Sequence, residues 1–509
     1  MAKSYYITTP IYYVNDQPHI GHAYTTLACD VLARFKRLDG YQVLFATGTD
    51  EHGQKIEKSA QQNGMLPQAF TDKVSQTFRD LAREMNFSYD DFIRTTENRH
   101  ILACQQIWKK LEENKQIYLG QYAGWYAVRD EAFYHEDEVK TLANGQKIAP
   151  TGAEVQWVEE PSYFFRLSAW TEKLLKFYQD NPDFIAPESR RNEVISFVKR
   201  GLQDLSVSRT SFHWGIEVPG NQKHIMYVWL DALTNYLTVA GYPDEKSPKF
   251  KNYWPASLHM VGKDIIRFHA IYWPAFLMAA ELPPPKRVFA HGWWTNEGQK
   301  ISKSLGNTVN PLDLTKAYGL DQVRYFLLRE VPFGQDGDFS KKALLQRINS
   351  DLANDLGNLV QRVLTMIYRE CDGKIPTKYS AEKKDEDLLK SSKDLLDTIR
   401  KEYDIQAFHK VLDYTWQVIS LINRYIDEQA PWSLKKVNKA RMEAVLYYAA
   451  EAIRRVALVT QPVMPQSCNK ILDQLGCSLD HRSFRFIDYP LQPNQVIPKP
   501  LAIFPRLQD

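Results

Sequence analysis

His19 and His22 stand three residues apart around Gly21, just after Pro18, in the stretch YYVNDQPHIGHAY of residues 12–24. Two imidazoles one helical turn apart share a face, and a first turn carries N–H groups without intrahelical partners that favour anions. The chemistry such a pair offers is phosphate binding. A pair of partly buried histidines at a helix start fits the stretch equally well. Some 280 residues further on, QKISKSLGN at residues 299–307 sets Lys300 and Lys303 on either side of Ser302, with Ser304 and Gly306 keeping the loop mobile. Two ammonium groups on a flexible loop suit the neutralisation of a departing pyrophosphate. Taken alone, this second stretch reads as a solvated Lys/Ser turn.

The elements that must position these groups are legible around them. SYYITTPIYY is a β-rich run ending in a loop. From His19 the period becomes helical, with Tyr24, Leu27, Ala28, Val31, Leu32 and Phe35 on one face up to Gly40, and QVLFATGTDEHG returns to a strand with a polar tail. Strand, loop, helix and strand within about 45 residues form the first βαβ unit of a parallel α/β domain. Ligands in such sheets bind outside the carboxyl ends of the strands, where His19, Asp50 and His52 fall. Residues 116–224 are rich in aromatic and turn residues and read as a mixed insertion. The α/β pattern resumes with HIMYVWLDAL, SLHMVGKDIIRFHAIYWPAFLM and KRVFAHGWW. From Lys341 to Val459 only Gly357, Gly373, Pro376 and Pro431 interrupt helical spacing, and Phe408, Val411, Leu412, Trp416, Ile419, Ile422 and Ile426 form one stripe. This part is a helical bundle.

Bulk composition narrows the classes. The 509 residues are 44% apolar and 25% charged with a net charge of +3, so any nucleic-acid contact must come from local patches rather than a global basic field. Five scattered cysteines, Cys29, Cys104, Cys371, Cys468 and Cys477, fit a reducing compartment and no disulfide framework. No run approaches the length of a membrane span, and MAKSYYITTP leads straight into a strand, so neither a signal peptide nor a membrane partner is expected and the cytoplasm is the expected location.

The two loops together, in this order and across an interrupted α/β domain, resemble the HIGH and KMSKS signatures of the class I aminoacyl-tRNA synthetases. HIGH is matched letter for letter at His19, Ile20, Gly21 and His22, and KMSKS as KISKS at residues 300–304, with Ile301 in place of Met. Wider blocks are similar to the methionine-specific branch: TTPIYYVND, TGTDEHGQKI, YVWLDAL, GKDIIRFHAIYWPAF, HGWW, GLDQVRYFLLRE, FGQDGDFS and NRYIDEQAPW. The resemblance runs from about residue 4 to the C terminus. It implies a Rossmann-type parallel-sheet catalytic domain in two halves, 1–115 and 225–298, split by a connective insertion at 116–224. A KISKS and stem-contact region at 299–345 and a helical anticodon-binding domain with a C-terminal tail at 346–509 would follow.

The implied reaction is ATP-dependent activation of L-methionine to methionyl-adenylate, then transfer to the 3′ end of tRNA(Met), initiator and elongator. The resemblance assigns ATP, accompanied by Mg²⁺, to His19, Gly21, His22, Gly262, Asp264, Lys300, Ser302 and Lys303. Gly21, lacking a side chain, would let the adenosine lie against the helix backbone. Methionine falls to Ile11, Tyr13, Trp229, Ala232, Tyr236, Ile265, His269 and Trp273, with Asp50 as partner of the ammonium. A thioether suits aromatic and apolar walls, and His269 and Trp273, i and i+4, can face one cavity. Against this stands the reading of aromatic residues at helical spacing as plain core. The family block often has Pro where this chain has Leu233. Arg209 matches an arginine that joins the catalytic set from beyond the insertion, the alternative being a surface salt bridge. Asn358, Arg362 and Trp432 match the anticodon-reading set; otherwise they are a solvated pair and a packed Trp.

Many members carry zinc knuckles built from CxxC pairs in the insertion. Here the GWY block continues as Ala127, Val128, Arg129 and Asp130, no cysteine lies between Cys104 and Cys371, and His135 alone cannot complete a tetrahedral site. No metal site and no zinc are expected. The isoleucine, valine and leucine enzymes carry a much larger insertion, and the cysteine enzymes need thiols that are absent. A non-catalytic tRNA-binding paralogue would be expected to lose HIGH or KISKS, and a small-molecule nucleotidylyltransferase leaves the bundle unexplained. The chain ends near PLAIFPRLQD without an added tRNA-binding domain, and a monomer is expected.

Overall fold

Helix formation after Pro18 follows from local chemistry. The helix Ile20–Leu38 is capped by His19, whose extended backbone turns its side chain onto the Gly21 N–H, and it ends at Asp39 before Gly40, whose φ is +85°. The computed structural model describes residues 3–15, 17–130, 132–134, 136–296, 298–300 and 309–508. By their contacts these fall into two compact units: 4–18 with 44–291, and 19–43 with 292–509 and the first residues of the chain.

The first of these units is built on a parallel sheet. Its strands run in the order Ile185–Ala186, Val288–His291, Leu258–Gly262, Ser4–Thr8, Gln42–Asp50 (which enters the unit at Leu44) and Tyr12–Tyr13, and Asp91–Arg94 also pairs with Gln42–Asp50. The register sets Ile7 opposite Leu258, His259 opposite Val288, Ala46 opposite Asp91 and Tyr13 opposite Asp50. The helix Val228–Ala240 is buried nearly all round, as its mostly apolar sequence requires. The insertion is a second, antiparallel sheet in which Ile117–Ala127 pairs with Gln156–Phe165 from Ile117 to Tyr126, followed by the helices Thr171–Asp180 and Glu188–Lys199.

The other unit is helical. Lys383–Asp404, Phe408–Gln429 and Lys439–Thr460 are its long helices, and the seven-residue stripe read from Phe408 to Ile426 is buried throughout. The helix Ile20–Leu38, which the sequence assigns to the first catalytic half, makes its compact unit with this bundle. The stripe from Tyr24 to Phe35 is buried, and so are Thr25, Thr26, Asp30 and Lys36, which an amphipathic helix would leave wet. Each buried charge has its partner. Asp30 Oδ2 accepts from Arg324 at 2.7 Å with both side chains fully buried, and Arg324 also donates to the carbonyls of Pro462 and Val463. Lys36 reaches Asp404 at 2.7 Å, and Phe35 stacks on Tyr403 at 3.9 Å. Breaking one side of a fully buried pair costs about 3–5 kcal/mol, so the histidine-bearing helix is fixed by the bundle. Among the described residues no helix is long and apolar enough to cross a membrane.

Candidate active site

The two histidines of HIGH cap their helix reciprocally. Gly21 N–H donates to His19 Nδ1, His19 N–H donates to His22 Nδ1, both at 3.1 Å, and the rings stack with centroids 3.8 Å apart. Burial, helped by the neighbouring His19, holds the His22 imidazole well below the usual histidine range. A Cβ on Gly21 would come within 2.9 Å of His19 Cε1, so the folded-back His19 ring itself needs the glycine. Ile20 N–H donates to the Val309 carbonyl at 3.3 Å, tying the helix start to the chain just after the KISKS segment.

That segment leaves a small hairpin. Trp294–Asn296 pairs antiparallel with Gln299–Lys300 and parallel with Gly337–Phe339. Asp338 Oδ1 accepts from Gly298 N–H at 2.8 Å and from Thr295 Oγ1 at 2.6 Å, fixing the turn. A Cβ on Gly292 would meet the Gln335 backbone at 2.3 Å, so only glycine lets the two segments approach. Lys300 is placed by its backbone alone, and Ser302, Lys303 and the rest of 301–308 lie outside the described residues.

The residues assigned to methionine come together in the sheet-based unit. Tyr236 and Trp273 are buried in one core cluster, Ile11, Tyr13, Trp229 and Ile265 pack against it partly buried, and Ala232 is buried on the same helix as Tyr236. Tyr236 Oη lies 2.7 Å from His269 Nε2, and His269 Nδ1 lies 3.0 Å from the Ile265 carbonyl. Burial pulls the His269 imidazole down to about 4, so near neutral pH the ring is uncharged. A carbonyl only accepts, so Nδ1 carries the hydrogen and Nε2 accepts from the tyrosine hydroxyl. Trp229 stacks on Phe268 at 3.7 Å and meets His269 edge-on. His269 and Trp273 lie on one continuous helical stretch, but through a π-helical turn at Phe268–Tyr272 rather than a regular α-helix. Asp50 is 8% exposed at the end of its strand, and its carbonyl accepts from Val14 N–H. Gly262 ends the strand Leu258–Gly262, and the exposed Asp264 follows in a short 3₁₀ turn.

Arg209 is not on the surface. It is 2% exposed, donates to Glu160 Oε1 at 2.6 Å and lies 4.0 Å over the Tyr126 ring, so in the folded chain its guanidinium serves the insertion. Where a zinc knuckle would stand, Ala127, Ala149, Ala153 and Val155 make a small apolar core, and Asp130 accepts from Tyr134 and Thr151. His135 lies outside the described residues. A cavity of about 580 Å³ opens on the insertion, lined by Tyr122, Trp125, Trp157 and Arg200 among others, and no residue assigned from the sequence lines it.

In the helical unit Asn358 is exposed, Arg362 donates to Asp427 and Asn423, and Trp432 is 47% exposed on the short helix Pro431–Val437. The packed-Trp reading therefore fails at this position. Sequence reasoning missed a polar network beneath the methionine residues. His259 Nδ1 lies 2.8 Å from Thr8 Oγ1 and its Nε2 accepts from Trp273 Nε1, while Asp231 joins His52 to His100. Buried His and Asp residues at strand ends and inside an apolar helix were the available signal.

Two family models match the chain: tRNA synthetases class I (M) over residues 5–364 and the anticodon binding domain of methionyl tRNA ligase over 375–488. The methionine–tRNA ligase of Rickettsia felis is 55% identical over 513 residues, covering 100% of this chain and 99% of its own. That of Brucella suis is 53% identical, covering 99% and 98%. Among solved structures, the Mycobacterium tuberculosis methionyl-tRNA synthetase in complex with methionyl-adenylate superposes with a TM-score of 0.97 at 51% identity, covering 99% of this chain and 100% of that one. Its apo form gives 0.91 at 49% identity, covering 100% and 99%. With a buried aromatic cluster around an uncharged histidine, a double-histidine helix cap and a full-length match at this identity, the chain belongs to the methionyl-tRNA synthetases of class I.

Proposed function

We infer that this chain is a methionine–tRNA ligase: it condenses L-methionine with ATP to methionyl-adenylate and pyrophosphate, then moves the methionyl group to the 3′ end of tRNA(Met). The observation that carries the reading is the Tyr236–His269–Trp273 cluster, at positions that the family resemblance assigns to methionine. It offers aromatic and apolar walls and only uncharged polar atoms, which suits a thioether side chain. Asp50 would take the substrate ammonium, leaving its carboxylate to attack the α-phosphate of ATP. The step needs positioning and charge stabilisation rather than a covalent nucleophile.

For ATP we propose His19, Gly21 and His22, with Gly262 and Asp264 toward the ribose. Lys300, Ser302 and Lys303 would neutralise the departing pyrophosphate. Mg²⁺ would arrive with the nucleotide. The exposure of His19 and the low basicity of His22 suit hydrogen bonding to phosphate oxygens rather than ion pairing. The pairing of Arg209 with Glu160 supports a role in holding the insertion, through which its part in the reaction would be indirect. We propose Asn358, Arg362 and Trp432 as the anticodon readers of both initiator and elongator tRNA, acting in a monomer.

Exchange of labelled pyrophosphate into ATP with a panel of amino acids tests the reading: exchange must depend on methionine. Homocysteine, one methyl shorter, is expected to support ATP consumption at a measurable rate, because one missing methyl in an apolar pocket costs only about 1–3 kcal/mol. Rejection then occurs after activation, with release of homocysteine thiolactone. No ATP consumption with homocysteine would show that the pocket rejects it by another means. We further propose a zinc-free insertion, supported by the Ala127 cluster in place of thiols. Activity is expected to be full after chelator treatment and return of Mg²⁺. One zinc per chain surviving gel filtration contradicts this.

A further inference from the structure

His52 lies two residues past Asp50, in the segment that leaves the strand Gln42–Asp50. Its side chain is 7% exposed and is held on two sides, and its backbone carbonyl on a third. Nδ1 lies 2.7 Å from Asp231 Oδ2, the Trp214 ring meets the imidazole edge-on at 5.5 Å, and Tyr13 Oη donates to the His52 carbonyl at 3.1 Å. Asp231, on the helix Val228–Ala240, is 1% exposed. Its other oxygen lies 2.7 Å from Nε2 of the fully buried His100, whose Nδ1 faces Thr238 Oγ1 at 3.0 Å.

An ionised carboxylate only accepts hydrogen bonds. Burial alone would raise the Asp231 pKa, but its contacts with His52 and His100 outweigh it and hold the group at about 2. Both ring nitrogens facing Asp231 therefore carry hydrogen. For a neutral His52 this fixes the Nδ1–H tautomer and leaves a lone pair on Nε2. Among the described residues no hydrogen bond takes that nitrogen. His52 is tied to the neighbourhood of methionine from three directions: Asp50 precedes it, Tyr13 holds its carbonyl, and Asp231 sits between Trp229 and Ala232 on one helix.

We propose that His52 Nε2 accepts an N–H of the substrate's α-ammonium beside Asp50, and that Asp231, braced by His100, is the positioning residue that fixes the tautomer able to do so. The inference rests on the methionine assignment made above. The ammonium has three N–H donors, so a carboxylate and an imidazole lone pair can share it, each through a charge-assisted bond. His100, Cys104 and Asp231 also place ligand-type atoms within 4.8 Å of one another. The 2.7 Å separation of His100 from Asp231 is that of a hydrogen bond, and it serves the ring that faces the substrate.

The test compares methionine with 4-(methylsulfanyl)butanoate, which lacks only the amino group. In the wild type, the ratio of the inhibition constant of the desamino acid to the KM for methionine measures what the ammonium contributes. His52→Ala is expected to shrink this ratio about tenfold, through the KM for methionine, leaving the KM for ATP and the desamino constant unchanged. Asp231→Asn is expected to shrink it at least as far, because the amide can turn its NH₂ toward Nδ1 and reverse the tautomer. An unchanged ratio in His52→Ala, or both constants rising together, overturns the proposal and leaves His52 a packing residue. Should Asp231→Asn fail to fold, the ¹⁵N spectrum of wild-type imidazoles decides, with His52→Ala assigning the signal. The Nδ1–H tautomer supports the proposal and the Nε2–H tautomer overturns it. A wild type without methionine-dependent exchange would instead sink the assigned reaction, so the two failures are distinguishable.

Discussion

Lys303→Ala is expected to slow methionine-dependent ATP–pyrophosphate exchange about a hundredfold or more while the KM for methionine moves little. The lysine is proposed to act on charge that builds on the departing pyrophosphate, and an interaction made only in the transition state is lost from kcat rather than from substrate binding. Removing one preorganised donor of this kind costs about 10²–10³ in rate. Lys303 itself lies outside the described residues, but the strand that leads to it is pinned: Gln299–Lys300 pairs with Trp294–Asn296, and Asp338 holds the turn between them. Initial rates across a range of methionine concentrations check the split. A variant with normal turnover and only weakened methionine binding would remove the lysine from this role.

Trp432→Ala should leave pyrophosphate exchange nearly intact and reduce tRNA charging about tenfold to a hundredfold, the value of one base stack. Its presentation follows from the backbone. The helix Phe408–Gln429 ends at Ala430 with φ at 40°, and Pro431 starts the next helix with Trp432 half in solvent. A core tryptophan would cost about 3–5 kcal/mol on truncation and lower the melting temperature; one that is 47% exposed should not. Unchanged melting with impaired charging supports anticodon contact, and melting lowered in proportion to lost charging speaks against it. Arg362→Ala should act likewise and also relax the preference for a CAU anticodon, since a guanidinium on a base edge carries identity as well as affinity. Its present partner does not bar this. Asp427 is 61% exposed, and such a surface pair is worth about 0–1 kcal/mol, so a base can replace it cheaply.

Much of this molecule follows from its sequence because the relevant forces are local. Helical periodicity picked out the apolar stripes of Ile20–Leu38 and Phe408–Gln429, because residues three or four apart share a face, although the polar side of the first helix is buried too. The histidine pair was legible for the same reason, being a reciprocal cap closed within four residues. The aromatic set from Trp229 to Trp273 was legible as a list but not as a geometry. The tautomer of His269 depends on a carbonyl one turn away and on a tyrosine 33 residues distant.

What tertiary structure alone decided are pairings at long separation. Arg324 meets Asp30 across 294 positions and makes the histidine helix part of the helical unit. Asp231 meets His52 across 179 positions and His100 across 131, so the only charged residue of an apolar helix is paired with two rings, one of them two residues past the substrate ammonium's proposed partner. Spacing along the chain carries no information about such contacts. A buried charge must be paired, which makes each of these residues conspicuous in the sequence. Which partner it takes is settled only when the two segments pack and exclude water from between them.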